Sequence, residues 1–159
     1  MKILITGVCG FIGFNLANQL VSTDKKNHVY GIDNLNNYYS VKLKKTRLNE
    51  LKKNKNFNFY KFNLNNEKEL SNFFRNKKID IVIHLAAQAG VQHSMVNPKK
   101  HIDDNINSYF NILDICKNKK IKKIIYASSS SIYGDNKKFP IKENASKNPK
   151  NIYGLSKKF

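Results

Sequence analysis

The sequence has few of the residues that would indicate a disulfide framework or a metal centre. Its two cysteines, Cys9 and Cys116, lie in unrelated contexts and form no Cys-x-x-Cys motif, which argues against a disulfide scaffold and fits a reducing cytosol. The four histidines show no ligand spacing with acids or cysteines, so we expect no metal site. A helix N-terminus could make Cys9 reactive, but we favour the alternative that its small side chain fills a tight turn.

Arginine is also scarce, and this bears on what the high positive charge means. Only Arg47 and Arg75 are arginines, although lysines bring the formal net charge to +18. Such a charge first suggests a nucleic acid or a membrane surface as partner. The lysines, however, are interspersed with asparagines along the whole chain, whereas base-reading surfaces favour arginine. We therefore interpret the charge as solvated surface and expect neither of these partners.

Long hydrophobic runs are missing too. The apolar run over residues 79–91 contains Asp80 and His84 and is too short to cross a bilayer. The run over residues 3–13 contains three glycines and no convincing small-x-small cleavage site, so it does not read as a signal peptide. These features predict a cytoplasmic protein.

The sequence does contain a regular alternation of short apolar runs with amphipathic ones. Strands are predicted over residues 2–6, 28–33, 56–62, 79–85 and 122–127. Helices are predicted over residues 11–23, 40–53 with Ser40 as a possible cap, 67–75, 98–118, and from 151 onward. Strands that are apolar on both faces and joined by helices indicate a parallel sheet covered on both sides. Right-handed crossovers then give a doubly wound α/β fold of strand order 3-2-1-4-5, in one domain over residues 1–159.

Helical periodicity predicts which apolar side chains face the core. In the first two helices these are Phe11, Ile12, Leu16, Leu20, Val21, Val41, Leu43, Leu48 and Leu51. In the long helix they are Ile102, Ile106, Phe110, Leu113 and either Ile115 or Cys116.

Three glycines follow the first strand and open the first helix. Gly7, Gly10 and Gly13 suit a backbone that turns tightly, approaches a pyrophosphate and presents helix N–H groups to it. Asp33 lies twenty residues after Gly13, at the end of the second strand. A carboxylate there can bind both ribose hydroxyls and repels a 2′-phosphate, and no arginine stands beside it in the sequence, so NAD is favoured over NADP. The alternative for Asp33 is a turn or cap residue.

The ends of two further strands carry candidate coenzyme contacts. Asn63 and Leu64 end the third strand, where a side-chain oxygen and a backbone group can meet adenine, although a strand-terminating turn explains them nearly as well. Small residues end the fourth strand, at Leu85, Ala86, Ala87 and Gln88, which allows a coenzyme to pass close.

The last part of the chain carries a candidate catalytic pair. Tyr153 and Lys157 are spaced i, i+4 and share one face of a helix. Residues 128–131 are four serines directly after the fifth strand, at the edge where ligands bind in such sheets. A nearby ammonium favours the phenolate form of a tyrosine, which would let it act as a base. The alternative for at least three of the serines is a polar turn.

Four segments together resemble a known family. They are TGVCGFIG at 6–13, HLAAQAGV at 84–91, YASSSSIYG at 126–134 and the Tyr153-x-x-x-Lys157 pair. These resemble the extended short-chain dehydrogenase/reductases, in their nucleotide-sugar epimerase/dehydratase branch, and the resemblance covers essentially the whole chain. Within that branch, DNLNNYY at 33–39 with LKKTRL at 43–48 is most similar to UDP-glucuronate 4-epimerases. The resemblance implies a Rossmann domain with NAD as cofactor, a UDP-sugar as substrate, and a role in polysaccharide biosynthesis.

The resemblance also implies a mechanism. Tyr153 would take the proton of the sugar 4-hydroxyl while a hydride passes from C4 to NAD. The 4-keto sugar would then rotate and receive the hydride on its other face. Ser129 aligns with a serine or threonine that hydrogen-bonds the reacting oxygen, and Lys157 would also bind the nicotinamide ribose.

Further site residues are carried over from the family position by position. The implied coenzyme contacts are Gly7, Gly10, Phe11, Ile12, Gly13, Asp33, Asn34, Leu35, Asn36, Asn37, Tyr38, Asn63, Leu64, Leu85, Ala86, Ala87, Gln88, Ala89, Asn105, Tyr153 and Lys157. The implied substrate contacts are Ser94, Ser129, Ser130 and Tyr153. The family also implies a homodimer through the helix at 98–118 and the helix that bears Tyr153.

The chain departs from the family at several positions. Asn63 replaces an aspartate near adenine, Gln92 stands where glucuronate epimerases have arginine, and Ser108 replaces a glycine. The 4,6-dehydratases carry an Asp-Glu pair where Ser130 and Ser131 stand, so water elimination is not expected. Members of the family are longer and supply most nucleotide-sugar contacts from a second half, so the 159 residues alone are expected to lack turnover. The alternatives are a non-catalytic NAD-binding module and an oxidoreductase that releases NADH.

Overall fold

The computed structural model describes all residues, 1–159, and places five parallel strands in one sheet. The strands are β1 (Lys2–Thr6), β2 (His28–Ile32), β3 (Phe57–Tyr60), β4 (Ile81–His84) and β5 (Ile124–Tyr126). Their order is β3-β2-β1-β4-β5, which confirms the predicted doubly wound topology. Thr6 pairs with Ile32 on one side and with His84 on the other, so three strands end side by side at one edge.

Seven α-helices accompany the sheet. They are α1 (Phe11–Thr23), α2 (Val41–Leu51), α3 (Glu67–Arg75), α4 (Val91–Val96), α5 (Pro98–His101), α6 (Ser108–Asn118) and α7 (Ile152–Lys158). A π-helix (Ile102–Asn107) joins α5 to α6, and a 3₁₀ turn (Ser130–Tyr133) follows β5. The Ser40 side chain accepts a hydrogen bond from Leu43 N–H at 3.3 Å, which confirms the predicted cap of α2. No helix combines the length and the apolar character needed to cross a bilayer.

The chain divides into two compact units. The first, which we call the sheet unit, comprises residues 1–86 and 111–126. The second, the helical unit, comprises residues 87–110 and 127–159. The sheet unit contains all five strands, and the helical unit contains the 3₁₀ turn and α7.

Alternation along the strands of the sheet unit builds a core on each face of the sheet. Ile3 and Ile5 of β1 belong to one apolar cluster, and Leu4 between them belongs to the other. Successive side chains of a strand point to opposite faces, so β1 is buried on both of them. The first cluster packs against α1 and α2, and the second contains Phe73 and Phe74 of α3.

The predicted inward face of the first helix is wrong at its start. Phe11 is 72% exposed and Ile12 is 62% exposed, whereas Gly13, Ala17 and Val21 are buried. The cause is steric: α1 begins against the glycine turn, and only a residue without a side chain fits at position 13. The two apolar side chains of the first turn are therefore rotated outward.

The long helix is also phased differently from the prediction. Ile102, Phe110 and Leu113 are exposed, and the face that is buried carries His101, Asn105, Ser108, Ile112 and Cys116. The π-helix inserts an extra residue in the turn, with Ser108 N–H bonded to Asp103 O, and this changes the phase of the helix. In α2 the prediction that Leu43 faces the core is also wrong, because the side chain of the adjacent Lys44 is buried there instead.

Candidate coenzyme and catalytic sites

The glycine turn of the sheet unit has no room for side chains. Gly7 has a φ of +69°, and a Cβ there would lie 2.8 Å from Ala86 N. A Cβ on Gly13 would collide with Gly7 O and lie 2.9 Å from Val8 Cα. The first hydrogen bond within α1 runs from Phe14 N–H to Gly10 O, so the amides of Phe11 and Ile12 precede the helical ladder. The turn thus brings bare backbone and helix N–H groups together, as an anion site requires.

Asp33 connects this turn to the end of β2. Its two carboxylate oxygens accept hydrogen bonds from Cys9 N–H at 3.0 Å and from Leu35 N–H at 2.8 Å. Each carboxylate oxygen has a second lone pair, so both can still accept a hydroxyl. The turn-residue alternative and the ribose-binding prediction are therefore compatible: the backbone bonds fix the carboxylate in place.

The segment after Asp33 is built from consecutive side-chain turns. Asn34 Oδ1 accepts from Asn36 N–H at 3.0 Å, and Asn36 Oδ1 accepts from Tyr38 N–H at 3.4 Å. The buried Lys44 ammonium donates to Asn36 O at 2.9 Å and to Asn36 Oδ1 at 2.7 Å. Lys44 therefore ties residues 34–38, all of which are implied coenzyme contacts, to α2.

The fold brings an arginine to the glycine turn that the sequence order does not reveal. The Arg47 guanidinium donates to Cys9 O at 3.3 Å and lies 5.8 Å from the centre of the Phe11 ring. The amide of the same Cys9 binds Asp33. Asp33 and Arg47 thus bond the same residue, Asp33 at the N–H of Cys9 and Arg47 at its carbonyl oxygen.

The thiol of Cys9 is inert in this setting. Cys9 is fully buried, and burial, helped by the Asp33 carboxylate, raises its pKa to about 12. Cys116 is buried as well, and burial raises its pKa to about 11. The interpretation of Cys9 as a turn-filling residue is confirmed, and helix-terminus activation is not.

We expect both thiols to react with Ellman's reagent at least a hundredfold (about two pK units) more slowly in the folded chain than in concentrated urea. Below pH 9.0 the Cys9 thiol is protonated in both the folded and the unfolded chain, so its contribution to stability is complete. As the pH rises from 9.0 toward the folded pKa of about 12, only the unfolded chain releases the proton, and stability falls. Timed reaction with and without urea checks the first point. A thiol that reacts rapidly in the native chain contradicts it.

The predicted adenine and passage contacts have clear structural roles of their own. Asn63 Oδ1 accepts from Asn65 N–H at 2.9 Å, as in a turn, and the Leu64 side chain is buried in the second apolar cluster. The amides of Leu85 and Ala86 donate to Thr6 Oγ1 at 3.2 and 3.1 Å. These bonds hold the end of β4 close to Gly7, and their coenzyme roles stay predictions.

In the helical unit, α7 is held against the serine turn. Lys157 Nζ donates to Ala127 O at 3.1 Å, and Ser128 Oγ donates to Lys157 O at 3.1 Å. A Cβ on Gly154 would lie 2.6 Å from Ser131 O, so the helix and the turn are in close contact. Burial lowers the pKa of the Lys157 ammonium. The i, i+4 pair therefore lies on a helix, as predicted, and this helix contacts the turn that contains Ser129. The catalytic roles of these residues stay predictions.

The serines divide into structural and accessible ones. Ser129 Oγ accepts from Ser131 N–H at 3.2 Å and caps the 3₁₀ turn, which is the polar-turn alternative. Ser130 is exposed. Ser94 is fully buried, and its hydroxyl donates to Val91 O at 2.6 Å.

A buried amide network, which the sequence analysis did not identify, holds the tyrosine helix. Asn105 Oδ1 accepts from Gln88 N–H at 2.6 Å, and Asn105 Nδ2 donates to Gln88 O at 3.1 Å and to Ser156 Oγ at 2.9 Å. Ser156 Oγ in turn donates to Tyr153 O at 2.8 Å. Asn105 and Gln88 were named only as implied coenzyme contacts, and the periodicity gave one signal of the network, a polar residue at position 105 within the predicted long helix. Gln88 Oε1 is buried without a hydrogen-bond partner, so this region retains an unused acceptor.

Comparison with known proteins identifies the family of the chain. The family model described as GDP-mannose 4,6 dehydratase matches residues 4–159. Protein CapI of Staphylococcus aureus is 45% identical over 99% of this chain and 47% of its own length. A UDP-glucuronate 4-epimerase of Thermodesulfobacterium geofontis is 47% identical over 82% of this chain and 40% of its own length.

A solved structure shows the same likeness. The UDP-glucuronic acid 4-epimerase of Bacillus cereus, in complex with UDP-glucuronic acid and NAD, superposes with a TM-score of 0.88 at 34% identity. The match covers 99% of this chain and 49% of that protein. The chain therefore spans about half the length of the relatives it matches.

Proposed function

Because the chain belongs to the GDP-mannose 4,6-dehydratase family, whose members similar to it are NAD-dependent nucleotide-sugar epimerases, we propose that it is the NAD-binding and catalytic part of a UDP-glucuronate 4-epimerase. The observation that carries the proposal is the pair formed by Tyr153 and Lys157, on a helix fixed beside Ser129 by the Lys157–Ala127 and Ser128–Lys157 hydrogen bonds. The substrate is assigned from the named relatives.

The sheet unit fits the pyrophosphate end of NAD. The space over Gly7 and Gly13, which a Cβ would fill, allows backbone to approach a phosphate closely. Asp33 would accept hydrogen bonds from the ribose hydroxyls, and its negative charge disfavours a 2′-phosphate. Arg47 contributes a positive charge on the other side of Cys9 and would add to the attraction for the pyrophosphate.

The helical unit supplies the proton chemistry. The hydride chemistry at C4 of the sugar would be supplied by bound NAD. Tyr153 takes the proton of the 4-hydroxyl through its phenolic oxygen and gives it back when the hydride returns. Ser129 Oγ would hydrogen-bond the reacting oxygen, and Lys157 Nζ would bind the nicotinamide ribose and bring a positive charge to the helix face that it shares with Tyr153.

The residues next to Ser129 favour epimerisation over elimination. Removal of water needs an acid and a base beside the sugar, and positions 130 and 131 are serines. Their hydroxyls do not supply either function at neutral pH. The proposed reaction therefore ends with the hydride back on the sugar and no net change of the coenzyme.

Incubation of the protein with NAD and UDP-glucuronate, followed by chromatography of the nucleotide sugars, tests the proposal. Because the 159 residues alone are expected to lack turnover, the incubation also contains the second half of a relative. We then expect UDP-galacturonate to form with no net growth of absorbance at the NADH band. Stoichiometric NADH would instead support the oxidoreductase alternative. Binding of NAD without any conversion in the presence of that second half would support the non-catalytic module.

Lys44 offers a sharp test of the coenzyme part. Replacing Lys44 with methionine removes two hydrogen bonds from a charged donor to Asn36, so the 34–38 segment should loosen and NAD should bind about tenfold to a hundredfold more weakly. Titration calorimetry measures the dissociation constant. Lys45→Met removes an exposed lysine of the same helix and serves as the matched control. Equal dissociation constants for the two variants would contradict the assigned role of Lys44.

A further inference from the structure

Two histidines form a hydrogen-bonded pair in the helical unit. His93 of α4 and His101 of α5 are joined by their Nδ1 and Nε2 atoms, respectively, at 3.0 Å. His101 is completely buried, and its ring meets the Tyr153 ring edge to face, at 6.1 Å between centroids and 83° between planes. The proposed mechanism uses neither imidazole, although one of them touches its base.

The hydrogen-bond partners indicate where the protons of the neutral pair lie. The Asn97 amide nitrogen lies 3.3 Å from His93 Nε2 and can only donate, so Nε2 is the acceptor. His93 Nδ1 then carries the hydrogen and donates it to His101 Nε2. The remaining hydrogen of His101 is on Nδ1, which is buried and has no hydrogen-bond partner. The chain of donors ends at the ring that contacts Tyr153.

We propose that the His93–His101 hydrogen bond positions Tyr153 only while the His101 imidazole is neutral, and that it makes the tyrosine's catalytic placement sensitive to acid. The inference rests on the proposed function, because it assigns a consequence to the position of Tyr153. His93 and His101 are positioning residues here and take no part in the transfer of proton or hydride.

Protonation is incompatible with this arrangement for a geometric reason. An added proton on His101 would lie on Nε2, opposite the N–H of His93, and two donors would then face each other across 3.0 Å. Restoring the bond would require His93 to reverse its donor and acceptor atoms and to lose the Asn97 contact. Helices α4 and α5 both contact α7, so a change at the pair reaches the helix that carries Tyr153.

The charged groups around His101 shift its pKa in opposite directions. Burial is the main cause that lowers the pKa of His101, followed by His93 on α4 and, more weakly, by Lys100 on its own helix. Asp104 of the π-helix raises it and is itself bonded to Lys100 at 2.7 Å. From α7 the facing titratable group is Tyr153.

The sign of the pH dependence follows from this direction. The unfolded histidine has a pKa of 6.5 and the folded one a lower value, so the unfolded chain takes up the proton first. Stability of the helical unit is therefore complete above pH 6.5 and is lost as the pH falls toward the folded value. The acid form loses both stability and the platform of Tyr153.

Nitrogen-15 NMR of the imidazoles in the whole chain, with carbon-13 labelled tyrosine rings, tests the pair without coenzyme or turnover. We expect the stated tautomers at neutral pH, and a shift of the Tyr153 ring signals at the same midpoint as the titration of His101. His101→Phe keeps an aromatic edge against Tyr153 but cannot titrate, so the tyrosine shift should vanish. His93→Gln keeps a donor for His101 and should alter that midpoint, which covers the case in which the first variant does not fold.

His28→Gln in the sheet unit is the matched control, and it should leave the tyrosine shift unchanged. A Tyr153 signal that does not change with the titration of His101, or an acid step that persists in His101→Phe, overturns the inference.

In turnover, the native protein should lose kcat by about tenfold for each pH unit on the acid side, with KM unchanged. His101→Phe should lack this acid limb. If no turnover is found at any pH, the proposed function fails and the NMR result decides the pair alone.

Discussion

Replacing Gly13 with alanine is expected to abolish NAD binding and to lower the free energy of unfolding by about 2–3 kcal/mol. The new Cβ would collide with Gly7 O and lie 2.9 Å from Val8 Cα, and all of these atoms are backbone. Neither side of the contact can rotate away, so α1 must shift from the turn. The shift would carry the amides of Phe11 and Ile12 away from the proposed pyrophosphate position.

Gly10→Ala provides the matched control for this effect. A Cβ at position 10 meets only Gly7 O, at 3.1 Å, so a small adjustment accommodates it. We expect Gly10→Ala to cost well under half the stability lost by Gly13→Ala. Urea unfolding of the two variants gives the stability difference, and calorimetric titration with NAD gives the affinity. If both alanines are tolerated equally, close packing at position 13 is not what shapes the turn.

Removing the hydroxyl of Tyr153 is expected to reduce epimerase turnover by about a thousandfold, with little change in the affinity for NAD. Phenylalanine keeps the ring that meets His101 and loses only the atom that would hold the proton. Lys157→Met should cost both turnover and coenzyme affinity, because the ammonium serves the phenolate and the nicotinamide ribose in the proposed mechanism. The difference between the two variants separates proton transfer from binding.

Tyr133→Phe removes a hydroxyl from another half-buried tyrosine of the helical unit and should leave turnover near that of the native protein. Product formation from UDP-glucuronate, measured at saturating NAD, checks all three variants. Native-like turnover in Tyr153→Phe would remove the tyrosine from the mechanism. A similar loss in Tyr133→Phe would point to a general disturbance of the unit.

The strands and the sheet order were predictable because they follow from local signals. Lys2–Thr6 and Ile81–His84 are short, apolar on both faces and bounded by turn residues, which leaves a buried parallel strand as the only consistent reading. Right-handed crossovers then determine their neighbours. The first strand was predicted with its observed bounds. The other four predicted strands extend one to three residues beyond the observed ones, as at residues 56–62 against Phe57–Tyr60, because pairing stops before the apolar pattern does.

The phase of the helices was not predictable from the apolar pattern. Asn105 is buried because its side chain bonds Gln88 and Ser156, which lie outside its own helix. Ser108 is buried because its hydroxyl donates to the carbonyl oxygen of Asp104, one turn earlier. Helix α4 was missed for a related reason, since its six residues are too few for a period to show. Periodicity treats every polar residue as outward, and it fails where a polar residue has a buried partner.

The candidate site was predictable in its residue types but not in its supports. Gly13, Asp33 and Tyr153 stand in motifs whose spacing is local. Lys44 and Arg47 stand in the LKKTRL segment, whose likeness to the epimerases assigned neither side chain a role, and only the packing of α2 within the sheet unit brings them to the site. Lys44 gives no signal in the sequence, because it is one of many lysines.

The central place of β1 has a consequence for the order of events during synthesis. This strand is made before its partners, and one of them is β4: the Thr6 hydroxyl bonds the His84 ring at 2.9 Å, although the two residues are 78 positions apart in the chain. At about 5–20 residues per second on the ribosome, a nascent β1 waits several seconds with one edge uncovered. An open apolar strand invites pairing with other chains. Chaperones that bind extended apolar segments are therefore expected to protect the first residues of this protein until the fourth strand has left the exit tunnel.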